Sequence, residues 1–207
     1  MKIERLIVEQ LQSNCYIVYD EKNLQAMVVD PGDDPEMITK TIDTNSLKVI
    51  YIVCTHGHFD HIGGVSKVRE KTGGKIVLNR NELDLYLRAG DQAALWGFDI
   101  GQQPEPDLFV SEGNELHVGN LTFTVLFTPG HSPGGICLYG EGIVLTGDTV
   151  FAGSVGRTDL LGGDVGDLRR SFQRIVSLPP DTAILPGHGD LSTVLEERET
   201  NFFMGEV

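Results

Sequence analysis

The sequence predicts a mixed α/β fold in which two layers of strands pack face to face, and three observations support this expectation. Short runs of β-branched and aliphatic residues alternate along the chain with segments of helical periodicity. The strand-like runs cluster near residues 6–29 and 108–146, and each cluster is followed by a helical segment. With 207 residues, the chain is also long enough to bury a substantial core.

Eight short apolar runs are predicted to be strands. In chain order they cover residues 6–8, 16–19, 26–29, 49–54, 76–78, 121–127, 143–145 and 183–185. Their lengths and their β-branched residues are typical of strands rather than of helices. The run at 49–54 shows no alternation between apolar and polar residues, which indicates a strand that is buried on both faces.

Helical periodicity predicts five helices, and residues that favour helix ends mark the boundaries of the first three. Pro35 is expected to begin the first helix, because proline suits the first helical position. The second follows the glycines at 63–64 and ends at Gly73. The third runs from about residue 81 to 88 and is expected to stop near Gly90.

The last two predicted helices have clearer signals at their starts. One begins near Asp164 and places four apolar side chains on one face, those of Val165, Leu168, Phe172 and Ile175. The other begins with a capping box formed by Thr193 and Glu196. Residues 90–107 form the longest irregular stretch, which predicts either a functional loop or a surface excursion held down by its aromatic residues.

The formal net charge of -14, without any long run of like charges, excludes some partners. An acidic surface repels nucleic acid phosphates and anionic lipid, so neither nucleic acid nor a membrane is an expected partner. Glu4 and Arg5 argue against a signal peptide, and no run approaches the ~20 apolar residues of a membrane span. The three cysteines, an odd number in or beside strand-like runs, predict buried thiols and a cytoplasmic protein.

The strongest sign of chemistry is the sequence THGHFDH at residues 55–61, directly after the fourth predicted strand. It contains three imidazoles and one carboxylate, the ligand types that zinc and related divalent ions prefer. His56 and His58 are two residues apart and are expected to point the same way, while Asp60 and His61 lie at the next bend. A cluster of hydrogen-bonded histidines is the alternative, but this density of histidine favours a metal site.

The same arrangement of an apolar strand, a glycine turn and one candidate ligand recurs three times along the chain. It delivers His131, Asp148 and His188, each at the end of a different predicted strand. Five of the six histidines therefore occupy the motif and these positions, which favours a metal site strongly over coincidence. The remaining one, His117, is expected to be an exposed strand residue.

Counting the candidate ligands predicts two metal ions, preferably zinc, although iron and manganese suit the same side chains. The expected sets are His56, His58 and His131 for one ion, and Asp60, His61 and His188 for the other. Five imidazoles and two carboxylates exceed the ~4 ligands of one zinc, so Asp148 is expected to bridge both ions. A water between the ions becomes hydroxide near neutral pH, which predicts a hydrolase with catalytic roles for Asp60 and Asp148.

In combination, these motifs resemble the metallo-β-lactamase superfamily. The resemblance covers nearly the whole chain: Asp30 in the sequence VVDPG, the HxHxDH motif at 56–61, then His131, Asp148 and His188. It implies a four-layer αββα sandwich with a dinuclear site at one edge between the two sheets. It also implies that Asp30 orients the site from behind the ligands.

Within that superfamily, the sequence is most similar to proteins of the glyoxalase II type, through TGDTVF at 146–151 and GSVGRTD at 153–159. That similarity implies hydrolysis of a small-molecule thioester such as S-lactoylglutathione. Full-length glyoxalase II carries a C-terminal helical domain that supplies much of its glutathione site. Only nineteen residues follow His188, so a single domain over residues 1–207 without that helical domain is expected. The oligomeric state is left open by the sequence.

Other functions remain compatible with these motifs. A persulfide dioxygenase with one iron ion shares the scaffold and a GRTD segment like that at 156–159, and a lactonase uses the same hydroxide. A metal-binding module without activity is disfavoured, since all seven candidate ligands are present. Arg157 is a candidate for binding a substrate carboxylate, but a structural pairing with Asp159 or Asp164 is favoured slightly.

Overall fold

The computed structural model describes residues 1–8 and 11–206, which form two six-stranded sheets with helices outside them. The first sheet has its strands in chain order: β1 (Lys2–Val8), β2 (Ser13–Tyr19), β3 (Gln25–Val29), β4 (Lys48–Val53), β5 (Lys75–Asn79) and β6 (Leu108–Val110). The strands β1 to β3 are antiparallel, whereas β3 to β6 are parallel to one another. The parallel half follows from the helical crossovers between its strands.

The second sheet is formed by the other half of the chain. Its strands are β7 (Glu115–Val118), β8 (Leu121–Phe127), β9 (Ile136–Gly140), β10 (Ile143–Gly147), β13 (Ala183–Pro186) and β14 (Ser192–Thr193). A separate two-stranded ribbon, β11 (Val150–Phe151) and β12 (Ser154–Val155), follows β10. Each of the eight predicted strands lies within or overlaps one of these strands.

Seven helices and two 3₁₀ turns complete the described chain. The helices are α1 (Pro35–Thr44), α2 (Phe59–Ile62), α3 (Val65–Thr72), α4 (Leu83–Leu87), α5 (Ala89–Leu95), α6 (Val165–Val176) and α7 (Val194–Thr200), and the 3₁₀ turns are Arg80–Glu82 and Phe202–Glu206. The predicted boundaries at Pro35, Gly73 and Thr193 are confirmed, and the Thr193 side chain accepts a hydrogen bond from the backbone N–H of Glu196. No helix among the described residues is long and apolar enough to cross a membrane.

Three separate cores produce four layers, because alternate residues of each strand face opposite ways. On β2, for example, Ile17 packs with α1 and α3, whereas Val18 faces the second sheet. Phe123 and Leu138 meet it from that sheet, and a third core joins the far side of the second sheet to α6 and α7. The expected αββα sandwich is therefore confirmed.

Two predictions about helices are wrong. The third predicted helix ends at Leu87, close to the expected position, but the stretch expected to be irregular from residue 90 begins with a further helix, α5, that continues to Leu95. Ala89 and Ala93, one turn apart, are completely buried, and this packing outweighs the ~1 kcal/mol that a glycine costs inside a helix. Val165 does not share the buried face of α6, since it occupies the first helical position, one turn before that face begins at Leu168.

Candidate metal centre

All seven candidate ligands follow the carboxyl ends of strands that open on the same edge of the sandwich. His56 and His58 lie in the turn after β4, and Asp60 and His61 lie in the short helix α2. The other three follow strands β8, β10 and β13, which all run in one direction. The two sheets meet at this edge, where the backbone N–H of Asn14 donates to the carbonyl of Gly187. This meeting brings residues 132 positions apart in the chain (56 and 188) to one place.

The first set of candidate ligands consists of three buried imidazoles, those of His56, His58 and His131. One nitrogen of each lies within 4.8 Å of the others, and His58 Nδ1 is 2.9 Å from His131 Nε2. His56 Nε2 is buried and has no hydrogen-bond partner. Burying three close ring nitrogens, one of them without a hydrogen-bond partner, is unfavourable in an apolar core. The same arrangement suits the binding of a divalent cation.

The second set consists of Asp60, His61 and His188. Their ligand atoms also lie within 4.8 Å of one another, with His61 Nε2 3.1 Å from His188 Nε2. His188 Nε2 is 3.2 Å from Asp60 Oδ2, so a carboxylate and two imidazoles converge. This donor set is one that zinc, iron and manganese all accept.

Asp148 lies between the two sets, as the prediction of a bridging carboxylate requires. Its Oδ1 is 3.4 Å from His61 Nε2, whereas its Oδ2 is 3.5 Å from His131 Nε2 and 3.8 Å from His188 Nε2. Oδ1 is buried without a hydrogen-bond partner. Leaving a buried carboxylate oxygen unsatisfied is costly, so both this atom and the donor types of the site fit a pair of divalent cations.

The backbone at Gly187 packs directly against the Asp148 carboxylate and leaves no space there for a side chain. A Cβ atom on Gly187 would lie 2.3 Å from Asp148 Oδ1 and 2.8 Å from His61 Cε1. Glycine at this position therefore lets the turn after β13 pass directly beside the site.

In His56, His61 and His131, the ring nitrogen that points away from the site contacts a hydrogen-bond partner. Asp30 accepts hydrogen bonds from the backbone N–H and the hydroxyl of Thr55, and its Oδ2 lies 3.2 Å from His61 Nδ1. His131 Nδ1 is 2.7 Å from the carbonyl oxygen of Arg157, and His56 Nδ1 is 3.0 Å from Thr55 Oγ1. Such contacts fix the tautomer of each ring, so that the other nitrogen faces the site.

The charges at the site differ between its two halves. Burial and the neighbouring imidazoles lower the pKa of His56, and burial lowers the pKa of His58 to about 4. Burial also acts to lower the pKa of His61, but the carboxylates of Asp148, Asp60 and Asp30 raise it to about 10. His56 and His58 are therefore neutral and ready to bind a cation at pH 7, whereas His61 in the second set holds a proton.

Binding of zinc to the metal-free protein at pH 7 is expected to release about one proton from His61, because a metal-bound imidazole must be neutral. The pKa of His61 is raised, so its protonated form persists to about pH 10, and zinc binding by the second set should strengthen as the pH rises toward that value. Calorimetric titration with zinc in two buffers of different ionisation enthalpy measures the release. Equal binding enthalpies in both buffers would contradict this expectation.

Glu82 is a residue of the site that sequence reasoning missed. Its side chain is completely buried in the 3₁₀ turn after β5, and its carboxylate accepts hydrogen bonds from the backbone N–H groups of Gly57 and Gly134. Gly57 separates His56 from His58, and Gly134 follows His131, so Glu82 links the two loops that carry the first set. Burial raises the pKa of Glu82. The only sequence signal is an acidic residue directly after an apolar strand, which is too common to be informative.

Replacing Glu82 with alanine is expected to lower the free energy of unfolding by roughly 2–6 kcal/mol, because two buried N–H groups lose their acceptor. It should also weaken zinc binding by the first set by about 10–100-fold, the usual effect of removing a group that orients ligands. Glu197→Ala is a matched control, since Glu197 is also buried and accepts from the N–H of Gly153. The control should lose stability and keep its zinc affinity; equal zinc affinity in both variants would refute the role of Glu82.

Two other expectations concern residues around the centre. Arg157 makes two hydrogen bonds of 2.6 Å to the carboxylate of Asp159, the structural pairing that was favoured. His117 is an exposed residue of β7, where it lies 3.2 Å from Thr122 Oγ1 near the start of β8, the end of that strand opposite His131. Of the two aromatic residues expected to pin residues 90–107, Phe98 packs against Phe59 at a ring-centroid distance of 5.5 Å, whereas Trp96 is mostly exposed and does not.

Comparison with known proteins places the sequence among metal-dependent enzymes. Residues 8–188 match the model of the metallo-beta-lactamase superfamily. The probable metallo-hydrolase YqgX of Bacillus subtilis is 36% identical over 99% of this chain and 98% of its own length. The hydroxyacylglutathione hydrolase GloC of Haemophilus influenzae is 34% identical, again over 99% of this chain and 98% of its own length.

Solved structures agree with this match. The BLEG-1 B3 metallo-beta-lactamase superposes with a TM-score of 0.92 at 33% identity, over 98% of this chain and 99% of that one. TTHA1623 in a di-iron-bound form superposes with a TM-score of 0.90 at 39% identity, over 97% of this chain and 99% of that one. ETHE1 from Myxococcus xanthus superposes with a TM-score of 0.79 at 27% identity, over 98% of this chain and 84% of that one.

Proposed function

This chain belongs to the metallo-beta-lactamase superfamily, whose members are largely metal-dependent hydrolases, and we propose that it is a thioester hydrolase of the glyoxalase II type. The observation that carries the proposal is the convergence of two three-residue sets on Asp148. Similarity to a hydroxyacylglutathione hydrolase along nearly the whole chain supports the thioester substrate. A single-metal structural site does not need a carboxylate between two complete sets.

The side chains of the site have different roles in the proposed hydrolysis. When two divalent ions are bound, they supply a hydroxide near neutral pH and draw charge from the carbonyl oxygen of the substrate. Asp148 and Asp60 would then offset part of the positive charge, and Asp60, which lines the cavity, would accept a hydrogen bond from the attacking water. A thiolate leaves readily, so no side chain needs to act as a strong general acid.

Metal analysis coupled to an assay with S-lactoylglutathione tests the proposal. We expect about two divalent ions per chain, preferably zinc, and release of one free thiol for each thioester consumed. A β-lactam and a lactone serve as comparison substrates, because a β-lactamase is among the structural relatives and lactonase chemistry needs the same hydroxide. Full metal content without hydrolysis of any thioester would overturn the proposal.

A persulfide dioxygenase is the second candidate, and one observation favours it. ETHE1 from Myxococcus xanthus, a structural neighbour with 27% identity over 98% of this chain, fits this alternative. A relative with 39% identity also binds iron on the same fold, although as a pair of ions. Iron content together with oxygen uptake on glutathione persulfide identifies this activity, whereas the hydrolase consumes no oxygen. We also propose that the protein acts in the cytoplasm, because its three cysteines are buried and form no disulfide.

A further inference from the structure

A large cavity opens directly on the candidate metal centre. Its volume is about 570 Å³, within the range of cavities that bind small molecules. Five of its seventeen lining residues are candidate ligands, and nine others are aliphatic or aromatic. A substrate in this cavity with its reacting end at the centre therefore has its remaining part against a mostly apolar wall.

That wall contains apolar side chains that the protein leaves in water. Leu95 is 87% exposed, Trp96 61% and Leu161 76%, and all three line the cavity. The first two lie at the end of α5, and the third lies in the loop that precedes α6. Exposed apolar groups gathered beside a site are typical of a surface that a ligand covers, because each gains free energy when water is removed.

The charges around the cavity disfavour an anionic ligand. Among the lining residues, all of which the structure describes, Arg157 alone is a lysine or arginine, and both its Nε and one Nη are bound to Asp159. The net charge of the chain is -14. A glutathione thioester carries two carboxylates outside its reacting group, and this wall offers them no unpaired lysine or arginine.

We propose that the cavity selects thioesters whose non-reacting part is uncharged and apolar, rather than those of glutathione. The proposal rests on the proposed hydrolase for the reaction, but the recognition of the apolar part can be measured without turnover. Trp96 is the only tryptophan in the sequence, so its fluorescence reports directly on occupation of the cavity wall.

Fluorescence titration of the metal-loaded protein with thioethers, which are not hydrolysed, tests recognition first. S-hexyl-N-acetylcysteamine should bind roughly tenfold or more tightly than its S-methyl counterpart, since burying only two methylene groups has an effect of this size. It should also bind more tightly than S-hexylglutathione, which has the same hexyl group but carries the two carboxylates of glutathione. Equal affinity for the hexyl and methyl compounds, or tighter binding of the glutathione compound, would overturn the proposal.

Charged variants of the wall supply the second arm. Leu95→Asp and Leu161→Asp should each weaken binding of the hexyl probe by about tenfold and leave the methyl probe within about twofold. Both residues are exposed, so neither change threatens folding. Leu195→Asp is the matched control, because Leu195 is 46% exposed on α7 and does not line the cavity. An equal loss of hexyl binding in the control would refute the role of the wall.

Turnover separates this proposal from the proposed reaction. Hexanoyl-N-acetylcysteamine should have a higher kcat/KM than S-lactoylglutathione, and Leu95→Asp should remove that advantage mainly through KM. If the hexyl thioether binds but no thioester is hydrolysed, the reaction class is wrong and the recognition stands. If thioesters are hydrolysed without any preference for apolar groups, the recognition is wrong and the reaction class stands.

Discussion

Replacing Asp148 with alanine is expected to reduce thioester hydrolysis by roughly 10³-fold or more and to remove about one of the two bound ions. The two carboxylate oxygens of Asp148 face different ligand sets, with Oδ1 3.4 Å from His61 Nε2 and Oδ2 3.5 Å from His131 Nε2. Without it, the two sets would share no ligand, and Asp60 alone among the predicted ligands would offset positive charge at the site. Steady-state kinetics and metal analysis of the purified variant measure both effects.

Asp190→Ala is the matched control for this prediction. Asp190 lies two residues after His188, but its side chain is 94% exposed and makes only a 3.9 Å contact with Arg5. Turnover and metal content should therefore change by less than about twofold, as is usual for an exposed residue. An Asp148→Ala variant that keeps two ions and substantial turnover would show that this carboxylate does not bridge the sets.

Replacing Asp30 with asparagine is expected to weaken metal binding by the second set by about 10–100-fold, although Asp30 itself is not a predicted ligand. The carboxylate accepts from His61 Nδ1, so that when the ring is neutral, as metal binding requires, Nε2 is the unprotonated nitrogen and faces the site. An amide N–H at this position favours the opposite tautomer, in which Nε2 carries the hydrogen and cannot bind a cation. Asparagine keeps one oxygen for the N–H of Thr55, so the protein should still fold.

Asp20→Asn separates this effect from a general loss of stability. Asp20 is also a buried aspartate that accepts backbone hydrogen bonds, from Lys22 and Asn120. It follows the carboxyl end of β2, whereas the start of that strand lies beside the metal centre. Both variants should unfold at lower temperature, and only Asp30→Asn should lose zinc affinity in a competition titration with a chelator. Unchanged zinc affinity in Asp30→Asn would exclude the tautomer argument.

Much of the fold follows from local sequence patterns. The predicted strands and most helix boundaries were right because periodicity and capping residues act over a few neighbouring positions. The short strands β6, β7 and β9 were anticipated only as part of a strand cluster, since runs of three to five residues carry little periodicity. The extension of α5 past Gly90 depended on tertiary packing of Ala89 and Ala93, which no local pattern reveals.

The sequence by itself determined the family and the set of candidate ligands, including an Asp148 between two sets of three. Histidine density at strand ends is a local feature that can be read without coordinates, and the seven residues do come together. The role of each as a ligand remains the prediction that the variants above test. Only the tertiary structure decided what holds and surrounds them: the buried carboxylate of Glu82, the carbonyl of Arg157 behind His131, and the apolar wall from α5 and the loop before α6. These contacts join residues far apart in the chain. Nothing in the local sequence distinguishes these residues, because they become neighbours only when the two sheets meet at one edge.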